Sequence, residues 1–137
     1  MSYGKPLPVV DPETRPFWEA CREGRLMLQR CARCGHTRFP PTSFCPKCRS
    51  GEHEWVESRG RGRVFSWIVV RHPVPREVYA MEVPYVVALI ELDEGVRMAS
   101  NIVGIAPESV TAGMPVRVVF RRATPEITLP LFEPEPS

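Results

Sequence analysis

The chain has 137 residues, 43% of them apolar, and a formal net charge of +2. That length holds about one ordinary domain or two very small ones, and the apolar share argues against a disordered chain. No run approaches the roughly 18 apolar residues of a membrane helix, the start lacks the basic and apolar stretches of a secretory signal, and +2 by itself implies no polyanionic partner. A cytoplasmic protein without a membrane partner is expected.

Residues 1–12 read as an extended arm. Thr14 is placed to cap a helix, and Pro16 is tolerated in its first turn. Phe17, Ala20 and Cys21 then share one face at helical spacing, and Gly24 is placed to end the helix. Two or three turns need something to pack on. The first segment is therefore 1–24, an arm and a short helix.

The second segment, 25–58, holds two cysteine pairs. Arg25–Arg30 reads as a strand entering the first pair, Thr37–Phe39 as a return strand stopped by Pro40–Pro41, and Trp55–Ser58 as a further strand. Cys31-Ala-Arg-Cys34 and Cys45-Pro-Lys-Cys48 are separated by ten residues. Each pair can form a tight knuckle, and four thiolates close a tetrahedral zinc site with no position left for water. The gap is shorter than the familiar 15–20 residues, but a rubredoxin-like ribbon tolerates it. Iron, two disulfides or a metal-free state are the alternatives; a cytoplasmic setting argues against disulfides.

The third segment, 59–137, begins with Gly60 and Gly62, read as a flexible join. Val64–Arg71, Tyr85–Leu92, Val96–Val103, Val116–Arg121 and Ile127–Phe132 follow as five short strands. Asp93-Glu94-Gly95 makes a three-residue hairpin turn, where the carboxylates serve turn chemistry. Most of the sixteen prolines cluster at 6–16, 40–46, 73–84 and 125–136, as breakers do between strands. The predicted class is mainly β: a short helix, a zinc ribbon and a five-stranded OB-fold barrel, with a small sandwich as the alternative. The closing Glu-Pro-rich tail is expected to fray.

Charge is unevenly spread. Residues 22–71 carry eleven Arg or Lys against four Asp or Glu, and residues 72–137 carry five against nine. Zinc-bound thiolates would bring the first block from +7 to about +5. A solvated basic face explains this, and so does a surface for phosphates. Phe65, Trp67, Tyr79, Tyr85 and Phe120 could stack on single-stranded nucleic acid, although core packing explains such rings as well. On the first barrel strand Phe65, Trp67 and Arg71 share one parity, and the faces do not separate cleanly. The net charge and the acidic barrel half disfavour a nucleic-acid partner.

Cys21 reads as a buried inert thiol, because no His or Asp lies in a cooperating motif. His36, His53 and His72 are scattered and suit turn or solvated roles. No Ser/His/Asp grouping, glycine-rich phosphate loop or carboxylate pair is present, so the chain offers no catalytic residues of its own.

The order of FWEACREGRLMLQRC, CARCGHTRFPPTSFCPKC, EWVESRGRGRVFSW, PYVVALIELDEGVRMASNIVG and GMPVRVVF resembles the family of small proteins that join a rubredoxin-like zinc ribbon to an OB-fold and are associated with acyl-CoA metabolism. The resemblance runs from about Phe17 to Pro134 and keeps all four ribbon cysteines. It implies a non-catalytic accessory subunit that stabilises a thiolase-fold enzyme, a thiolase or a thiolase-like aldolase, and helps shape its acyl-CoA path. It further implies that a coenzyme A thioester is shared with the partner. Arg59, Arg61, Arg63 and Arg71 are then candidates for its phosphates, and Tyr85 and Asn101 for its pantetheine arm. The segment RHPVPREVYAMEV would adapt the chain to its own partner. A single-stranded nucleic-acid-binding OB module is the alternative.

Overall fold

The computed structural model describes residue 8 and residues 10–72 and 83–136. Most of the expected arm, and residues 73–82 with Tyr79, lie outside that range. Helix α1 spans Arg15–Arg22. Thr14 occupies the cap position, but its hydroxyl does not bond into the helix. Instead Asp11 and Thr14 cap each other: the Thr14 amide donates to Asp11 Oδ1 at 2.9 Å and the Asp11 amide donates to Thr14 Oγ1 at 3.2 Å. The Thr14 amide holds the Asp11 carboxyl below its ordinary value.

The helix ends as its glycine suggests. Gly24 takes a φ of +77°, and the amides of Gly24 and Arg25 donate back to the Cys21 and Ala20 carbonyls at 3.0 and 2.9 Å. This paired closure needs a left-handed residue, where a side chain would be strained. Phe17, Ala20 and Cys21 are buried.

The ribbon is a three-stranded antiparallel sheet of β1 (Met27–Cys31), β2 (Thr37–Arg38) and β3 (His53–Glu57), in the order β2-β1-β3. The barrel contains β4 (Arg61–Val70), β5 (Tyr85–Leu92), β6 (Arg97–Ile102), β7 (Pro115–Arg122) and β8 (Thr128–Pro134). It closes in the order β4-β5-β6-β8-β7. All pairings are antiparallel except β6 with β8, which meet in parallel at Ile102 and Phe132. Five strands in a closed barrel settle the choice between barrel and sandwich. One 3-10 turn, Pro107–Ser109, interrupts the β6–β7 connection. Among the described residues, no helix is long and apolar enough to cross a membrane.

The core is continuous from ribbon to barrel. Phe17 and Cys21 of α1 and Leu26 and Leu28 of the ribbon join Val64, Ile90, Met98, Val116 and Phe132 of the barrel in one buried cluster. Each fully buried side chain of this size stabilises the fold by about 1.5–3 kcal/mol. The helix thus finds its packing partner between the two sheets.

Two features correct the sequence reading. Gly60 and Gly62 are not a flexible join. Gly62 lies within β4, and a Cβ there would overlap the Glu91 carbonyl oxygen of β5 and lie 3.0 Å from Leu92 Cα. Gly60 has a φ of +71°, and a Cβ on it would sit 2.5 Å from Val118 Cγ1. Both glycines permit close backbone approach.

The mixed parity of β4 has a second cause. Val64 pairs with Ile90 and Ser66 with Leu89, leaving Phe65 as an extra residue in a bulge. Such an insertion flips the side-chain alternation. Gly62 and Val64 face inward before it, and Trp67 and Val69 pack on the core after it. Phe65 is turned out, 48% exposed, with the Arg97 guanidinium 3.8 Å above its ring.

The Asp93-Glu94-Gly95 turn forms as expected, with the Leu92 amide donating to the Val96 carbonyl at 2.8 Å and Gly95 at a φ of +90°. Glu94 does more than turn chemistry. Its carboxylate accepts from Ser58 Oγ at 2.8 Å and from the Arg59 amide at 2.9 Å. It ties the end of the ribbon to the barrel.

Candidate metal centre and barrel surface

β1 delivers Cys31 to the first knuckle. The Cys31 amide donates to the His36 carbonyl at 2.8 Å, and the Gly35 amide donates back to the Cys31 carbonyl at 3.0 Å. The second knuckle repeats this: Cys45 donates to the Ser50 carbonyl and Arg49 to the Cys45 carbonyl, both at 2.8 Å. Gly35 and Arg49 stand at the same place, four residues after the first cysteine of each pair. Both have positive φ, +78° and +66°. Arg49 there costs about 1–2 kcal/mol relative to a residue without that strain. The sequence reading did not single out Arg49; aligning CARCG on CPKCR exposes the equivalence.

The four sulfurs converge. All lie within 4.8 Å of one another, with Cys31 to Cys48 at 3.4 Å and Cys34 to Cys45 at 3.5 Å. None is in a disulfide. Tetrahedral zinc with Zn–S bonds of about 2.3 Å spaces its sulfurs about 3.8 Å apart, so the donor set fits. The Cys34 amide points at Cys31 Sγ and the Lys47 amide at Cys45 Sγ, each at 3.4 Å. The Cys48 amide above all, then the Lys47 amide and the Cys34 and Cys48 thiols, bring the Cys45 thiol down to about 6 against desolvation. The thiolate is the form that ligates metal. Cys31 and Cys45 are buried, while Cys34 and Cys48 are exposed. His36 contributes only its carbonyl here, and the His53 ring packs edge-on against Trp55 at 5.8 Å.

A buried polar pair supports the ribbon, and the sequence reading did not single it out. Gln29 lies on the Cys31 face of β1, opposite the core residue Leu28, and is fully buried; Arg38 of β2 is 4% exposed. Gln29 Oε1 accepts from Arg38 Nε and from the Thr42 amide, both at 2.8 Å. Arg38 Nη2 donates to the Thr42 carbonyl at 3.2 Å. Their signal was a polar residue on the buried face of MLQRC.

Cys21 is fully buried, which pushes its thiol up to about 12. It remains protonated, as a packing residue does.

The six candidate acyl-CoA residues divide into two groups. Arg61 and Arg63 lie at the start of β4, just after Arg59, whereas Arg71 follows its far end. Arg71 follows Arg63 by eight positions along β4, about 26 Å if fully extended. Tyr85 pairs across from Val70, and Asn101 across from Val87, so both belong to the far group. Several of these side chains already have partners. Arg61 meets Glu135 at 3.3 Å, and Arg71 meets Glu108 at 3.6 Å. Arg63 donates to the Gly113 carbonyl at 3.0 Å, and Asn101 Nδ2 to the Val86 carbonyl at 2.8 Å. A shallow pocket of about 460 Å³ beside Arg63 is lined by Phe65, Glu91, Asp93 and Gly113.

Comparison with known proteins bears on both parts of the chain. The family model for the ChsH2 rubredoxin-like zinc ribbon domain matches residues 18–54, and that for the ChsH2 C-terminal OB-fold domain matches residues 55–121. A DUF35 domain-containing scaffold protein of Methanocaldococcus jannaschii is 45% identical over 77% of this chain and 74% of its own length. A probable enoyl-CoA hydratase alpha subunit of Thermomonospora curvata is 46% identical over 95% of this chain, which spans only 40% of that protein. The benzoylsuccinyl-CoA thiolase subunit BbsA of Thauera aromatica is 34% identical over 74% of this chain and 75% of its own. Among solved structures, the Ltp2-ChsH2(DUF35) aldolase contains a chain 46% identical to this one, with a TM-score of 0.84, covering 93% of this chain and 98% of that one.

Proposed function

Since the chain belongs to the ChsH2 (DUF35) family of rubredoxin-like zinc ribbons joined to OB-fold barrels, we propose that it is a non-catalytic accessory subunit that binds and stabilises a thiolase-fold acyl-CoA enzyme. The observation that carries this reading is the match over nearly the whole chain to a component of the Ltp2-ChsH2(DUF35) aldolase. A relative named as a thiolase subunit supports it. The outer face of the barrel supports it as well: Phe65 and Ile68 are 48% and 63% exposed, and half-buried Val87 and Leu89 of β5 lie beside them. An apolar strip of this kind suits a surface covered by another protein.

In this reading Cys31, Cys34, Cys45 and Cys48 hold one structural zinc ion, which closes a ribbon too small to fold on its core alone. The segments 1–24, 25–58 and 59–137 act as helix, ribbon and barrel of one binding unit, and the protein works in the cytoplasm. Arg59, Arg61, Arg63 and Arg71, with Tyr85 and Asn101, line an acyl-CoA path laid along β4, whose length suits an extended thioester.

Co-purification from native extract tests the proposal. The chain is expected to elute with a thiolase-fold enzyme whose activity falls when the chain is deleted. A lone monomer, with that activity unaffected, refutes it.

A further inference from the structure

We propose that the buried Arg38 guanidinium is the counter-charge that keeps zinc on the ribbon; this rests on the four-cysteine zinc reading above. Arg38 is 4% exposed, yet among the described residues it meets no carboxylate. The chain's other pairing arginines, such as Arg30 with Glu54 and Arg117 with Glu133, find carboxylates at half-exposed positions. The partners of Arg38 are neutral: Gln29 Oε1 and the Thr42 carbonyl. Among the described residues its Nη1, and Gln29 Nε2, have no hydrogen-bond partner. A buried cation persists only with a compensating charge nearby.

The zinc centre supplies that charge. Four thiolates around one dication carry a formal charge of about −2. Gln29 precedes Cys31 by two residues and faces the same buried side of β1, a displacement of about 7 Å. Thr42, which accepts from Arg38, precedes Cys45 by three residues. The guanidinium therefore bridges the two segments that deliver the two knuckles, in an interior where charges are little screened. Groups behind the ligands commonly alter metal affinity by about 10–100-fold.

The experiment uses the full chain, with zinc counted by mass spectrometry and zinc release followed against a chromophoric chelator. Arg38→Met is expected to release zinc roughly tenfold more readily, and Arg38→Lys, which keeps the charge, to remain close to the wild type. Gln29→Glu separates charge from structure. Its carboxylate can accept both bonds that Gln29 Oε1 accepts, so the strap is kept, but a negative charge is placed beside the centre. Weaker zinc retention in Gln29→Glu is expected. Retention equal to or tighter than the wild type in that variant overturns the proposal, even if Arg38→Met does not fold. So does an Arg38→Lys variant that loses zinc as readily as Arg38→Met, since fork geometry rather than charge would then be responsible. A wild-type chain purified without zinc overturns the metal reading itself; a zinc-loaded chain indifferent to these substitutions overturns only the role of Arg38.

Discussion

Gly62→Ala places one methyl group where β4 and β5 run closest. The new Cβ would overlap the Glu91 carbonyl oxygen and lie 3.0 Å from Glu91 C and Leu92 Cα. All three atoms are backbone, so no side chain can swing aside. The strands must part by several tenths of an ångström, at a pair that the barrel also clamps from β7 through Gly62 and Val116. Overpacking of this kind costs about 1–3 kcal/mol. The less flexible unfolded chain returns about 0.4–1 kcal/mol. The balance is a loss of about 1.3 kcal/mol, or about 5 °C in melting temperature at roughly 4 °C per kcal/mol for a chain of this size. Thermal unfolding of the zinc-loaded protein, followed by circular dichroism, measures it. Gly51→Ala is the control, because its nearest neighbour, Phe44 Cε1, would stand at an ordinary 3.6 Å. A Gly62→Ala protein that melts at or above the wild-type temperature refutes the reasoning, and with it the claim that the glycine permits strand contact.

Replacing Cys45 with Ser is expected to abolish stoichiometric zinc and to unfold the ribbon before the barrel, seen as lost amide-exchange protection in 27–57 while β5 stays protected. Ile68→Asp is expected to leave the unfolding free energy within about 0.5 kcal/mol of the wild type and yet to weaken assembly with the enzyme; unchanged co-elution would remove the outer barrel face from the interface. Glu94→Ala breaks two charge-assisted hydrogen bonds and is expected to destabilise the chain by about 1–3 kcal/mol, read by urea denaturation. Cys21 has its thiol raised from 9.0 to about 12. Protonation is therefore favoured in the folded state; the associated stability is complete below about pH 9 and is lost as pH rises toward 12. Cys21→Ala should flatten that alkaline decline, and an identical decline in the variant would contradict it.

The local features of this fold were legible in the sequence because neighbouring residues create them. Two C-x-x-C pairs announce two knuckles, Gly24 ends the helix, Asp93-Glu94-Gly95 turns a hairpin, and the Val- and Ile-rich YVVALIEL reads as a strand. The resemblance carried by these motifs reached the family and the order of helix, ribbon and barrel. Other features depend on segments far apart in the chain. Gly62 looked like a hinge because Glu91, which forbids its side chain, lies 29 residues away. The bulge at Phe65 hid the inward face of β4 because register is a property of a strand pair, not of a strand. Arg38 counted as one more residue of the basic block until the fold buried it against Gln29 of β1 and the Thr42 carbonyl. The cysteines follow the same division. Spacing identifies them as ligands, but only the folded chain brings Cys31 beside Cys48 and Cys34 beside Cys45, because convergence requires the sheet to bring the two knuckles together.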